Sequence, residues 1–145
     1  MNDPNPSNKL KIFICHASEN RGLALELFYQ LQNWGFEPWI DQEDLLVGDK
    51  WDTKIRKEIE NTDIFIVCLS QTAIQKKGYY QKEIAIALEV AKTFPDNLTF
   101  IFPVKFEDCD LPDRLSEYHC SAVTAHLLYR VFPETHYTVT ALGGN

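Results

Sequence analysis

The sequence lacks the long apolar runs and the basic clusters that would assign it to a membrane or to nucleic acid. No apolar stretch approaches the ~20 residues that a membrane-spanning helix needs. Residues 1–8 hold two prolines and three asparagines but no apolar run, so we expect no signal peptide there. Lysine and arginine number 14 against 21 aspartate and glutamate residues, giving a net charge of -7. This acidic balance argues against binding to nucleic acid phosphates, and we expect no membrane partner.

Cysteine is scarce, and its spacing is not that of a metal site. The four cysteines, Cys15, Cys68, Cys109 and Cys120, form no CxxC pair and no metal-ligand spacing with histidine. Cys15 and Cys68 lie inside apolar runs, where a thiol behaves as a small hydrophobic group. We therefore expect reduced cysteines, a cytoplasmic location and no bound metal.

Several common catalytic motifs are also missing. No GxGxxG follows the first apolar run and no GxxxxGK precedes a serine or threonine, so neither common phosphate-binding loop occurs. There is no HExxH zinc motif and no GxSxG nucleophile elbow. Function therefore has to be sought in residues outside these motifs.

What the sequence does contain is a regular alternation of apolar runs and helical patterns. Continuously apolar runs are typical of strands buried on both faces of a parallel sheet. We predict strands at 11–15, 36–40, 64–69, 98–106 and 119–123. We predict helices at 18–34, from 49 or 50 through 59, at 79–94 and at 125–132. Ser18 is placed to cap the first helix, Gly35 to follow its end, and Pro95 to stop the third.

This alternation predicts an α/β fold with helices on both faces of the sheet. We expect a flavodoxin-like, doubly wound, five-stranded parallel sheet in the order 2-1-3-4-5. Residues 9–132 form the domain, 1–8 a flexible lead and 133–145 a tail or linker stub. Ligands bind such sheets at the carboxyl ends of the strands. That edge holds residues 16–19, 41–50 and 70–78, and we expect functional residues there.

A phospho-acceptor receiver domain has the same strand order and has to be weighed. It would need carboxylates after the first strand and an aspartate at the end of the third. His16 and Ser70 stand at those positions, which argues against a receiver, although the fold alone would permit one.

Glu83 departs from the polar face of its predicted helix. At about 100° per residue, that face gathers Gln81, Lys82, Glu89 and Lys92. Glu83 lies outside it, nearest in angle to Tyr79 and Val90. A glutamate near a helix start gains ~0.3–1 kcal/mol from the helix dipole, and most such residues do nothing else. A carboxylate on the apolar flank of a helix, however, should be either paired or functional.

Four segments in the same order resemble those of TIR domains. They are 12–18 (IFICHAS), 35–41 (GFEPWID) with the loop that continues to Gly48, 64–70 (IFIVCLS) and 79–83 (YYQKE). The last is similar to the aromatic-x-x-x-Glu segment that carries the catalytic glutamate of TIR enzymes. The resemblance runs from about Lys9 to Phe132 and is nearest to bacterial TIR domains, which often serve antiphage defence. Many catalytic members have tryptophan where this chain has Tyr79.

The resemblance implies an NAD⁺ glycohydrolase or ADP-ribosyl cyclase. Such enzymes break the nicotinamide–ribose bond of NAD⁺ and release nicotinamide with ADP-ribose or a cyclic isomer, so NAD⁺ is the substrate and no cofactor is expected. The bond breaks through an oxocarbenium-like state, and nicotinamide leaves as a neutral molecule. One carboxylate is enough to hold the ribose hydroxyls and to stabilise the charge on C1′. Glu83 would be that carboxylate.

Five further residues are candidates for substrate binding. Tyr79 offers a stacking face. His16 either contacts the substrate or caps the strand edge. The resemblance places Trp51 where TIR domains have an aromatic near the nicotinamide or adenine, and the alternative is that Trp51 anchors its helix in the core. Ser70 either binds a ribose or caps a helix. Lys50 is the nearest cation for a pyrophosphate, although an exposed lysine is usually only solvated.

The loop at 41–50 contains an apolar triplet in an otherwise polar sequence, which is typical of a partner-binding segment or a lid. In TIR domains this loop docks a neighbouring domain, and the site forms between subunits. The resemblance therefore implies self-association, as a homo-oligomer or filament, through Asp44, Leu45, Leu46, Val47 and Gly48. The alternatives are a non-catalytic TIR–TIR adaptor module and an effector that binds host TIR adaptors. The aromatic-x-x-x-Glu segment favours the enzyme, since adaptors generally lack it.

Overall fold

The structure, a computed structural model, describes residues 9–40, 49–95 and 100–118, with the side chains of residues 49–52 excepted. Four strands and three α-helices alternate along this part of the chain. They are β1 (Lys11–Cys15), α1 (Arg21–Asn33), β2 (Glu37–Ile40), α2 (Asp49–Glu60), β3 (Ile64–Leu69), α3 (Tyr79–Ala91) and β4 (Ile101–Lys105). Short 3₁₀-helices lie at Ser18–Asn20, Ala73–Gln75 and Asp113–Tyr118. The predicted connection at 109–117 thus contains a helical segment.

The strands form a parallel sheet in the order β2-β1-β3-β4. Phe13 pairs with Trp39 of β2 and with Phe65 of β3, so β1 lies inside the sheet. This order confirms the predicted α/β class and the first four positions of the doubly wound topology. The predicted fifth strand and last helix, together with the lead at 1–8 and the tail at 133–145, lie outside the described residues.

Helices cover both faces of the sheet because alternate residues of a strand point to opposite faces. Phe13 and Cys15 of β1 pack in one cluster with Ile55 of α2 and Ile84 of α3. The intervening residues of β1 pack on the other face with α1, in a cluster that contains Ile12, Ile14, Leu27 and Leu31. The Phe13 ring also stacks on Trp39 and Phe65, at centroid distances of 4.9 and 5.1 Å. Among the described residues, no helix is long and apolar enough to cross a membrane.

The prediction for the start of α1 is wrong, and the prediction for its end is confirmed. The predicted Ser18 cap is wrong: a 3₁₀ turn comes first, closed by the Asn20 N–H on the Ala17 carbonyl at 2.9 Å, and the Ser18 hydroxyl donates to Glu19. At the other end Gly35 follows the helix as predicted, with φ of 91°. Its N–H and that of the next residue donate to the carbonyls of Gln32 and Leu31, the pattern of a Schellman motif.

The helix α3 ends three residues before the predicted position. The N–H groups of Lys92, Thr93 and Phe94 donate to carbonyls three residues earlier rather than four. Such bonds tighten the last turn of a helix, and the residue before a proline avoids the helical conformation. The regular α-helix therefore ends at Ala91, before the turn that precedes Pro95, and not directly before the proline.

Pro103 lies in the middle of β4 without removing a bond from the β3–β4 ladder. The Phe100 carbonyl accepts from Phe65, and the Phe106 N–H donates to Leu69, each at 2.8 Å. In a parallel ladder alternate residues face the same neighbour, so Pro103 faces away from β3. A proline is tolerated there because the β3–β4 ladder needs no N–H from this position.

Candidate active site

A cavity of about 120 Å³ opens at the carboxyl ends of β1 and β3. This is the point where the topology reverses direction, and doubly wound sheets bind their ligands there. Two chain segments line it: the residues that follow β1 and those that lead into α3. The lining residues are His16, Ala17, Ser18, Lys76, Lys77, Tyr79, Tyr80 and Glu83.

Glu83 is a buried carboxylate on the wall of this cavity, with 3% of its surface exposed. The helical angles predicted that it would leave the solvated face, and its burial confirms this. Since α3 begins at Tyr79, Glu83 lies in the second turn. The dipole effect falls off within the first turn, so it contributes little to the position of a glutamate here. The carboxyl group therefore lies in a largely desolvated environment and borders an open cavity.

Two adjacent tyrosines bring aromatic rings to the same wall. Tyr80 is buried, and its hydroxyl donates to the Cys68 carbonyl at 2.7 Å, so the hydroxyl is committed to the backbone. Burial raises the pKa of this hydroxyl well above its ordinary value, and the neighbouring cysteine thiols act in the same direction. Tyr79 remains 39% exposed and can present its ring to a ligand. Gly78, at φ of 100°, makes the turn that precedes them, a conformation that favours glycine.

His16 is the residue that follows β1, and it is buried against the cavity. Its Nε2 lies 3.5 Å from Nη1 of Arg21, a long contact. A guanidinium can only donate, so a hydrogen bond between these two groups requires Nε2 as the acceptor, and the roles of the ring nitrogens depend on the tautomer.

A lysine that sequence reasoning missed joins the two lining segments. The Lys76 ammonium donates to Glu19 Oε2 at 3.1 Å and to Ser18 Oγ at 3.4 Å. The pKa of Glu19 is lowered by its own backbone N–H and then by Lys76. The next residue, Lys77, also lines the cavity and is exposed. The available signal was the pair of lysines within the predicted binding edge at 70–78.

Ser70 is buried but does not line the cavity. Its hydroxyl donates to Asn20 Oδ1 at 2.8 Å and accepts from the Ala73 N–H at 3.1 Å. The structure therefore gives this hydroxyl the capping contact that was the alternative to ribose binding. The Asn20 bond also ties the end of β3 to the segment after β1.

The remaining predicted positions fall partly or wholly outside the described residues. Lys50 and Trp51 lie in the first turn of α2, as predicted for the start of that helix, but their side chains are not described. The proposed docking residues 44–48 lie outside the described residues altogether. Within the described ranges, no three His, Cys, Asp or Glu side chains come together to hold a metal ion. Cys15, Cys68 and Cys109 are buried thiols, and burial raises the pKa of Cys68.

Comparison with known proteins agrees with this architecture. A family model described as the TIR domain matches residues 12–132. The chain is 35% identical over 74 residues to the 2′ cyclic ADP-D-ribose synthase BtTIR of Bacteroides thetaiotaomicron. That match covers 50% of this chain and 26% of the relative, so the chain spans about a quarter of the relative's length.

A solved structure shows the same fold at lower identity. The TIR domain of the Toll-related receptor TRR-2 from Hydra magnipapillata superposes with a TM-score of 0.61 at 22% identity. The match covers 82% of this chain and 91% of that one. The family match extends over most of the chain and includes both segments that line the cavity. This chain therefore belongs to the TIR domain family.

Proposed function

We propose that this TIR domain cleaves the nicotinamide–ribose bond of NAD⁺ and that Glu83 is its catalytic carboxylate. The observation that carries the proposal is the burial of Glu83, 3% exposed, on the wall of a cavity at the carboxyl edge of the sheet. The named activity of the Bacteroides thetaiotaomicron relative, a cyclic ADP-ribose synthase, supports the same substrate class.

The chemistry requires stabilisation of positive charge. When the bond between C1′ and the nicotinamide nitrogen breaks, both electrons go to nicotinamide, which leaves neutral, and the ribose becomes oxocarbenium-like. A fixed carboxylate stabilises that charge more strongly in a water-poor site than in bulk water. Water then forms the new bond to C1′ and releases its proton, which gives ADP-ribose. Attack by a group at the adenosine end of the same molecule, either an adenine nitrogen or a ribose hydroxyl that releases its proton, instead gives a cyclic isomer.

The neighbouring residues suit binding of the nicotinamide riboside end. Tyr79 offers a half-exposed ring for stacking against the flat nicotinamide. Tyr80 and His16 form the deeper wall of the cavity. We assign these residues to substrate positioning, with Glu83 as the group that acts on the reacting carbon.

The size of the cavity supports a site that needs further residues. Its volume of about 120 Å³ is below the ~300–1,000 Å³ typical of small-molecule sites. It can enclose one end of a dinucleotide but not the whole molecule. We propose that the loop at 41–50, contributed by a neighbouring copy, covers the rest, so that self-association activates the enzyme.

The decisive experiment incubates concentrated protein with NAD⁺ and resolves nicotinamide, ADP-ribose and cyclic products by chromatography. Glu83→Gln keeps the shape of the side chain and removes its charge, so turnover should fall by about 10²–10³-fold. Glu89→Gln is the matched control, because Glu89 lies on the exposed face of the same helix, paired with Arg56. Its activity should stay within about twofold of wild type, since exposed ion pairs contribute little.

The outcomes separate the two classes of function. Wild-type turnover by Glu83→Gln would show that another group acts on C1′. If neither protein consumes NAD⁺ at high concentration, the better interpretation is a TIR domain that only binds other TIR domains.

A further inference from the structure

Two adjacent lysines line the cavity, and the mechanism above does not use them. Lys76 and Lys77 precede Gly78 and the start of α3, on the same wall as Tyr79. Lys76 contacts Glu19 and Ser18. Within the described part of the chain, Lys77 has no hydrogen bond or ion pair and is exposed. The cavity of an acidic protein, with a net charge of -7, thus carries local positive charge.

The charges of the cavity are arranged by depth. The carboxyl group of Glu83 is almost fully buried, whereas the Lys76 side chain is 33% exposed and Lys77 lies further out. A ligand that fits this arrangement has a cationic end and an anionic part several bonds away. NAD⁺ has such a charge order, because its nicotinamide ring is positive and its pyrophosphate is negative. The cavity is too small for the whole molecule, so the pyrophosphate would remain near the exposed rim.

We propose that Lys76 and Lys77 bind the phosphate groups of the dinucleotide, and that Glu19 competes with these phosphates for Lys76. The identity of the ligand rests on the proposed function. Lysine binds phosphate as a compact point charge with rotatable donors, which suits a pair on a short exposed segment. The Glu19 carboxylate occupies one of these cations before the ligand arrives.

Exchange of Glu19 for a phosphate is energetically accessible. The Glu19 side chain is 46% exposed, and its contact with Lys76 is a single 3.1 Å ion pair. Exposed pairs of this kind are weak, so Lys76 can leave Glu19 at small cost. The lowered pKa of Glu19 keeps its carboxylate charged at neutral pH, which makes it a competitor for the lysine. Removing its charge should therefore strengthen phosphate binding, whereas removing either lysine should weaken it.

The test compares three substrates that share the same scissile bond. Nicotinamide riboside carries no phosphate, nicotinamide mononucleotide one and NAD⁺ two. Lys76→Gln and Lys77→Gln should each raise KM for NAD⁺ about fivefold, with kcat and the KM for the riboside within about twofold of wild type. Glu19→Gln should lower KM for NAD⁺ about two- to threefold. Lys92→Gln, at the exposed far end of α3, is the control and should change nothing.

A purely structural role for the Lys76–Glu19 pair predicts a different pattern. Both Lys76→Gln and Glu19→Gln would then act in the same direction, and they would affect the riboside and NAD⁺ equally. Either result would overturn the proposal. Opposite effects of the two variants, confined to phosphate-bearing substrates, would support it.

A binding measurement separates this proposal from the proposed function. Calorimetric titration with ADP-ribose, which has no nicotinamide bond to break, should give a Kd that rises with salt and with Lys76→Gln and falls with Glu19→Gln. If NAD⁺ is cleaved but neither KM nor this Kd depends on the lysines, the phosphate site is wrong and the enzyme stands. If no substrate is cleaved but the Kd depends on the lysines, the phosphate site stands and the proposed function is wrong.

Discussion

The hydroxyl of Tyr80 donates a 2.7 Å hydrogen bond to the backbone carbonyl of Cys68, which joins the first turn of α3 to the end of β3. The last β1–β3 pair is Cys15 with Val67, so this carbonyl lies where the ladder ends. Glu83 follows Tyr80 by three residues and shares its face of the helix. The bond therefore fixes the position of Glu83 relative to the edge of the sheet where substrate would bind.

Replacing Tyr80 with phenylalanine should lower the free energy of unfolding at pH 7 by about 1–2 kcal/mol, because a buried carbonyl loses its donor. The effect should shrink at alkaline pH. The folded-state pKa of Tyr80 lies above its ordinary value of 10.0, so its stabilising contribution is complete below about pH 10 and is lost as pH rises further. Above pH 10 the wild type should lose ~1.4 kcal/mol per pH unit more than Tyr80→Phe.

Urea denaturation between pH 7 and 11 measures both effects. Tyr29→Phe removes the hydroxyl of an exposed tyrosine and should stay within about 0.5 kcal/mol of wild type at pH 7. Cys68, whose pKa burial also raises, adds alkaline sensitivity of the same sign to every variant. Parallel pH curves for wild type and Tyr80→Phe would contradict the assignment of a protonated, buried Tyr80.

Ser70→Ala distinguishes a capping serine from a substrate-binding one. The change removes the acceptor of the Ala73 N–H and the donor to Asn20, so it should lower the free energy of unfolding by about 1–2 kcal/mol. Because Ser70 does not line the cavity, KM for NAD⁺ should stay within about twofold. A tenfold rise in KM with unchanged stability would instead support the ribose contact that the sequence suggested.

Self-association can be tested with Glu83→Gln, the variant that we expect to be inactive. Activity per wild-type molecule should rise with protein concentration if a neighbouring copy completes the site. Adding Glu83→Gln protein to dilute wild type should raise that activity too, because the variant still carries the loop at 41–50. The same variant with Leu45 and Leu46 changed to aspartate should not. Strict proportionality between activity and wild-type concentration, whatever is added, would show that one copy is sufficient.

Local patterns predicted the fold and part of the site. Continuous apolar runs located β1 and β3 within a residue, and the helical angles predicted the burial of Glu83 because α3 is regular between Tyr79 and Ala91. The Ser18 cap was wrong because a backbone turn competed with the side-chain cap. Such competition depends on how the chain leaves β1, which local propensity does not describe.

Contacts between distant segments could not be predicted in this way. Lys76 and Glu19 are separated by 57 residues, and only the pairing of β1 with β3 brings them together. Ser70 and Asn20 meet for the same reason. The sequence predicted the edge of the sheet near which these residues lie. It did not predict which of them would form hydrogen bonds or ion pairs with one another.

Among the described residues, the cavity is lined by members of two short stretches, 16–18 and 76–83, and by no residue of the strands themselves. The proposed substrate contacts therefore lie on segments outside the strands of the sheet. A chimera that carries these two stretches on the sheet of another TIR domain would inherit the acid, the aromatic pair and the rim lysines together. Such exchanges offer a direct way to trace how substrate use was gained or lost among domains that share this sheet.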